Sequence, residues 1–278
     1  MIDTIYANGC SWTAGDEIEK DPKFIEYLNQ LELKYDPEFW TIYDKHGTHK
    51  YHPPDLWLKF NWPSQVAKQL NVNNVINNSV GGGSNYRLLR LTCDFILSYP
   101  PEKRENLLVM IGWTALDRKE IHLRDKNSWE RFNYTQPFSK TVEMPDRFDR
   151  VKLNGYDNYQ KDYISYIFSE FENAKIYFQQ LFLLSNLLEN LKIKYLFFNA
   201  FQFPDYSHPK LDENFIPDEL KNDVKWYKTN NSIINDETMQ TYVYNKKLPV
   251  AELMHPMIDA HASWAEHLVK IMKDRKII

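Results

Sequence analysis

From Asp3 to Ala7 the chain is short, apolar and β-prone, and it runs into Asn8-Gly9-Cys10-Ser11, where glycine permits a sharp turn. The pattern predicts a strand, a turn and a helix start. Trp62-Pro63-Ser64 predicts a second helix start, because proline suits a first turn and Val66, Ala67 and Leu70 follow at helical spacing. Asn74 to Val80 reads as the next strand. Gly81-Gly82-Gly83-Ser84-Asn85 is a loop leading into a helix on which Leu88, Leu89, Cys93, Phe95 and Ile96 recur near the helical period. Leu107 to Trp113 is almost continuously apolar, as in a strand buried on both faces of a parallel sheet. Ile164, Ile167, Phe168, Phe171, Ala174, Phe178, Leu181, Leu184, Leu188 and Leu191 mark one long amphipathic helix whose stripe is core. Tyr195 to Phe201 is another buried strand. Phe203 to Leu248 is irregular or mixed, and Ala260 to Met272 is a terminal helix with Trp264, Leu268 and Ile271 inward.

Strands alternating with helices predict an α/β fold, a doubly wound and mostly parallel sheet. Two stretches break the alternation. Residues 16–61 carry Pro22, Pro37, Pro53 and Pro54, and residues 116–162 mix charges and aromatics with Pro137 and Pro145. Both read as insertions in a single domain, since 278 residues at 43% hydrophobic content supply one large core and little room for two. The net charge of −4, with no block of like charge, argues against nucleic acid as a partner. No apolar run is long enough to span a bilayer and the N-terminus lacks a signal-peptide pattern, so a soluble protein with no membrane partner is expected. Cys10 and Cys93 are too few for a disulfide framework and are expected as buried free thiols. Oligomeric state leaves no mark on the sequence.

In an open parallel sheet, ligands bind beyond the carboxyl ends of the strands. Ser11, the glycine loop, Gly112-Trp113-Thr114 and Glu252-Leu253-Met254-His255 all fall there. A hydroxyl at a helix N-terminus is well placed for attack on an ester, because backbone N–H groups stabilise the charge developing on the substrate oxygen. The same serine can serve simply as a helix cap. Asp259 and His261 offer a second acid and base, though at a helix start the aspartate reads better as a first-turn anion. His46, His49 and His52 lack the carboxylate or cysteine that would complete a metal site. The glycine loop lacks both the P-loop lysine and the dinucleotide fingerprint, so neither metal nor cofactor is expected. Trp40, Trp57, Trp62, Trp113 and Trp129 are expected in the core or, in part, on a sugar-stacking surface.

In order and spacing, these segments resemble the blocks of the SGNH (GDSL-like) hydrolase superfamily, in a form similar to those of bacteriophage genomes. The resemblance runs from the first strand to the last helix and implies a three-layer, flavodoxin-like sandwich. Asn8-Gly9-Cys10-Ser11-Trp12-Thr13 resembles the first block, with Cys10 at the position of the usual aspartate, and implies Ser11 as nucleophile. Asn77 to Ser84 resembles the second block and implies the Gly82 N–H as an oxyanion donor. Gly112-Trp113-Thr114-Ala115 stands where the family has Gly-x-Asn-Asp, so the third donor falls to the Thr114 hydroxyl or to Asn85. Glu252-x-x-His255 stands where the family has Asp-x-x-His, implying His255 as base and Glu252 as its acid. The resemblance implies a serine esterase that removes an acyl group, acetyl above all, from a carbohydrate or small-molecule ester. The alternative is a catalytically weak or inactive binding or structural protein on the same fold. Its expected place is the cytoplasm of an infected bacterial host or the virion.

Overall fold

The structure is a computed structural model that describes residues 1–36, 41–44, 49–51, 56–116, 118–123, 128–133, 169–201 and 216–278. Strands β1 (Thr4–Asn8), β5 (Asn74–Asn77), β6 (Leu107–Trp113), β9 (Lys194–Asn199) and β10 (Ile233–Thr238) form one sheet in the order β10-β9-β6-β1-β5. Every pairing in it is parallel. Side chains alternate across such a sheet, and here the alternation builds two cores. Ile5, Ala7, Leu108, Met110, Leu196 and Phe198 point to one face, where they pack with α3 (Trp62–Leu70), α7 (Met239–Asn245) and α8 (Ile258–Asp274). Tyr6, Val109, Ile111, Trp113, Tyr195 and Phe197 point to the other, where α4 (Asn85–Ser98), α5 (Glu170–Asn190) and α6 (Asp218–Thr229) cover them. The fold is therefore α/β, helices on both faces of a parallel sheet.

The chain steps from β1 outward to β5, then crosses back to β6 and continues outward through β9 and β10. The winding direction thus reverses between β1 and β6. That reversal opens a crevice at their carboxyl ends, where ligands of doubly wound sheets bind.

The described parts of residues 16–61 hold α2 (Pro22–Gln30) and an antiparallel sheet of β2 (Leu33–Asp36), β3 (Thr41–Asp44) and β4 (His49–Tyr51). Ile18, Phe24, Leu28, Leu33, Leu56 and Trp57 make a small third core that reaches Ile258 at the start of α8. The described parts of residues 116–162 hold the antiparallel pair β7 (Arg118–Leu123) and β8 (Ser128–Asn133).

Several sequence expectations shift at their edges. The second strand ends at Asn77 rather than Val80, because the chain turns there: the Asn77 carboxamide accepts from Ser79 N at 3.1 Å. The long helix starts at Glu170, with the Ser169 hydroxyl accepting from Glu172 N; Ile164, Ile167 and Phe168 lie outside the described residues. β10 and its flanking helices α6 and α7 arise from the stretch with no single pattern. Only Ile233 and Ile234 of β10 are buried, since an edge strand needs few apolar residues. Cys10 is buried and Cys93 half-buried, both as free thiols. Trp57, Trp62 and Trp113 are buried, whereas the side chains of Trp40 and Trp129 lie outside the described set. No helix among the described residues is long and apolar enough to cross a membrane.

Candidate active site

β1 delivers the chain to the switch point and α1 (Ser11–Ala14) begins at once. Cys10 holds an extended conformation, and its carbonyl accepts from Thr13 N and Ala14 N, both at 2.9 Å. Ser11 is thus the first residue of the turn, with an unbonded N–H among the described residues and only 6% of its surface exposed. Two glycines make this turn possible. A Cβ on Gly9 would lie 2.0 Å from Thr13 Oγ1, and one on Gly112 would lie 2.8 Å from the same atom. Neither position can carry a side chain while Thr13 sits between the turn and the end of β6.

Gly15, at φ 87°, stops α1 in the left-handed region that suits glycine. The Ser11 carbonyl then accepts from Gly15 N at 2.9 Å and from Asp16 N at 3.1 Å, and Glu17 is the next residue of the chain. Glu17 is buried and is itself held at φ 70°. Its Oε2 lies 2.9 Å from His255 Nδ1 and accepts from Leu253 N at 3.0 Å, while Oε1 takes the Lys20 ammonium at 2.5 Å. Burial alone would raise the Glu17 carboxyl, but hydrogen bonds from Lys20 and His255 outweigh it and hold the group below the usual glutamate value. A carboxylate only accepts, so the Nδ1 proton belongs to the imidazole. Nε2 is left as the basic nitrogen.

Glu252 is not the partner that the Asp-x-x-His pattern implied. Residues 251–255 form a tight loop in which Ala251 N bonds the His255 carbonyl at 2.8 Å, Met254 sits at φ 66° and Val250 bridges Pro256. The turn carries Glu252 to its exposed tip, and the carboxylate on the imidazole comes from the first insertion instead. Nothing in the spacing of the sequence marks Glu17. The nearest signal is Asp16-Glu17-Ile18-Glu19, acids flanking a core isoleucine just after a glycine.

Across the crevice, Gly82 holds φ +69° and is exposed, with open space around a hypothetical Cβ. Glycine is needed there for its backbone angle rather than for room. Its N–H has no partner among the described residues. Gly83 is needed for room: a Cβ would stand 3.0 Å from the Gly9 carbonyl and 3.1 Å from that of Val80, so the two loops touch backbone to backbone. Asn85 and Thr114 are placed otherwise than an oxyanion role requires. The Asn85 carboxamide accepts from Thr114 N at 2.8 Å and donates to Thr114 O at 2.9 Å, a two-way clamp between the start of α4 and the end of β6. Thr114 is fully buried, and its hydroxyl accepts from Arg118 Nη1 at 2.8 Å. Both side chains are committed to structure.

The rival pair separates. Asp259 is about half exposed in the first turn of α8 and pairs with Lys23 at 2.5 Å. His261 is fully buried, its Nδ1 accepts from Trp62 N at 3.2 Å, and burial drives its pKa down to about 3. It is a neutral core histidine. Glu19 is a second perturbed acid beside the site. It is buried, its Oε2 lacks a hydrogen-bond partner among the described residues, and burial with Asp16 and Glu17 nearby pushes it up to about 7. No group of His, Cys, Asp and Glu among the described residues could hold a metal ion. His49 lies on β4, while His46 and His52 are outside the described residues.

No curated protein matches the sequence. Among solved structures, the chain is similar to the psychrotrophic esterase EstA from Pseudoalteromonas sp., at 11% identity and TM-score 0.45, over 98% of this chain and 97% of that one. It is similar to a member of the lipolytic protein G-D-S-L family from Veillonella parvula DSM 2008, at 10% identity and TM-score 0.45, over 97% and 98%. It is also similar to a carbohydrate esterase family 2 enzyme with a carbohydrate binding domain from Corynascus thermopiles (Myceliophthora fergusii). There the identity is 12% and the TM-score 0.41, over 97% of this chain and 65% of that one. One family profile matches residues 55–277, a stretch that contains Gly82, Asn85, Thr114, Glu252 and His255 and begins after Ser11 and Glu17. By that match, which spans most of its length, the chain belongs to the Family of unknown function (DUF6071).

Proposed function

We propose that the protein is a serine ester hydrolase in which Ser11 is the nucleophile, His255 the general base and Glu17 the acid that orients it. The observation that carries this reading is the 2.9 Å contact between Glu17 and His255 Nδ1, made one residue after Asp16 N bonds the Ser11 carbonyl. A carboxylate on Nδ1 fixes the tautomer with a basic Nε2 and stabilises the imidazolium formed when that nitrogen takes a proton. His255 Nε2 accepts the Ser11 proton as Oγ attacks the ester carbonyl. The same proton then goes to the leaving alcohol, and water repeats the sequence on the acyl-serine. The unbonded N–H groups of Ser11 and Gly82 supply the oxyanion donors, since Thr114 and Asn85 are engaged elsewhere. The substrate we infer is a small acyl ester, with acetylated carbohydrates the first class to screen.

The alternative of a weakly active or inactive binding protein draws on one observation, the commitment of Thr114 and Asn85 to each other, which leaves two backbone donors in place of three. Labelling with a fluorophosphonate separates the two readings, because only an activated serine reacts. Wild type should label at Ser11, and Ser11→Ala and His255→Ala should both abolish labelling while remaining folded. A folded wild-type protein that resists the probe sinks the hydrolase reading.

A further inference from the structure

We propose that a second pocket, between α4, β7 and α5, is a binding site for a small organic anion, an apolar body ending in a carboxylate or phosphoryl group. The pocket encloses about 550 Å³, within the range of small-molecule sites. Leu116, Ile176 and the ring of Tyr86 supply its apolar wall.

Its polar groups are unbalanced in charge. Glu120 lines the pocket but is already neutralised by Arg90 at 2.8 Å, with its own side chain only 3% exposed. Arg118 and Lys119, which also line it, form no ion pair with a carboxylate among the described residues. Arg118 spends one N–H on Thr114 at 2.8 Å and lies 5.0 Å from the Phe201 ring, and no other hydrogen bond engages its guanidinium among those residues. Lys119 donates to Asn173 Oδ1 at 2.6 Å; burial lowers its proton affinity, which the exposed Glu172 only partly offsets. An anion beside it would restore that loss.

The second, independent mark is Asn173. This residue lines the pocket and is 95% buried by its 5% exposure, yet its Nδ2 has no hydrogen-bond acceptor among the described residues. A buried donor without a partner costs about 1–3 kcal/mol, a cost that turning the amide toward a ligand oxygen in the pocket would recover. Asn85 and Asn173 also stand in the first turns of α4 and α5, where the helix dipole favours negative charge. Two cations outside any ion pair among the described residues and an orphaned amide around one partly apolar cavity fit an organic anion and penalise a neutral ligand. The inference needs nothing from Ser11 and goes beyond the hydrolase reading.

Calorimetric titration of the full chain with benzoate, phenyl phosphate and the neutral benzamide tests it. At least one anion should bind ten-fold or more tighter than benzamide, and the tighter of the two anions names the head group. Lys119→Met and Arg118→Gln should each weaken that anion about ten-fold. Lys119→Met, which leaves the Arg118–Thr114 bond alone, serves if the arginine variant unfolds. Ser11→Ala should bind as wild type does. Equal binding of benzamide, or full anion affinity in folded Lys119→Met, overturns the proposal. Lost anion binding with intact serine labelling defeats this pocket alone, and the converse result defeats the hydrolase alone.

Discussion

Of the two glutamates that could serve His255, Glu17 is 238 residues away in sequence and bonded to it, and Glu252 is three residues away and exposed. Replacing a triad carboxylate by its amide leaves the shape and removes both the correct tautomer and the stabilising charge. Glu17→Gln should therefore slow ester turnover by about 10²- to 10⁴-fold. Glu252→Gln should leave it within about two-fold. Steady-state kinetics on one activated ester decide between them, and a reversed order would return the acid role to Glu252. Glu19 makes a different prediction, about stability. Its pKa rises from 4.5 unfolded to about 7 folded, so between those values the folded state binds more protons and stability falls as pH rises. Glu19→Gln removes that penalty. It should be more stable than wild type by about 1–3 kcal/mol at pH 8, with the gain shrinking through the window and gone below its lower edge, as urea melts across pH would show.

At the scale of elements, the clamp between α4 and β6 separates a structural role from a catalytic one. Asn85→Ala strips partners from the N–H and carbonyl of the fully buried Thr114. Two orphaned buried groups should cost about 2–4 kcal/mol, read as a lowered denaturation midpoint. An unchanged midpoint with lost serine labelling would instead make Asn85 an oxyanion donor. Elements of this kind were unevenly legible. The strands β1, β6 and β9 and the helices α3, α5 and α8 announce themselves because burial on one or both faces leaves long apolar periods. β10 does not, because an edge strand with two buried residues carries almost no pattern. The turn that carries Ser11 and the loop that carries Gly82 were readable because turns at strand ends demand glycine and small polar residues. Glu17 was not, since its place depends on a left-handed glycine, a carbonyl taking two N–H bonds and a loop 238 residues on. Sequence spacing encodes none of those tertiary contacts. The same limit explains Thr114 and Asn85, whose bonds to each other depend on the pairing of α4 with β6.

At the scale of the molecule, the proposed acid belongs to a different packing unit from the proposed nucleophile. Ser11 rests on the sheet, whereas Glu17 enters the small third core through Ile18, and that core meets the rest of the fold at the start of α8. Ile258 packs into it, Ile258 N donates to the Asp21 carboxylate at 2.9 Å, and Lys23 pairs with Asp259 at 2.5 Å. A satellite with few apolar residues should open at lower free energy than the sheet. Phe24, fully buried and edge-on to Phe60 at 5.8 Å, is its centre. Phe24→Ala should cost that unit about 3–5 kcal/mol, most of what a small cluster can supply. Native-state hydrogen exchange should then show amides of residues 18–30 losing protection while those of β6 keep theirs. Because the satellite carries Glu17 to His255, serine labelling should slow toward the rate of Glu17→Gln even where the sheet stays folded. Phe197→Ala supplies the contrast, since Phe197 lies between the sheet and its helices and its loss should lower protection throughout. If Phe24→Ala instead lowers protection evenly across both regions, the satellite and the sheet unfold as one unit, and the acid is held by the whole fold rather than by the insertion.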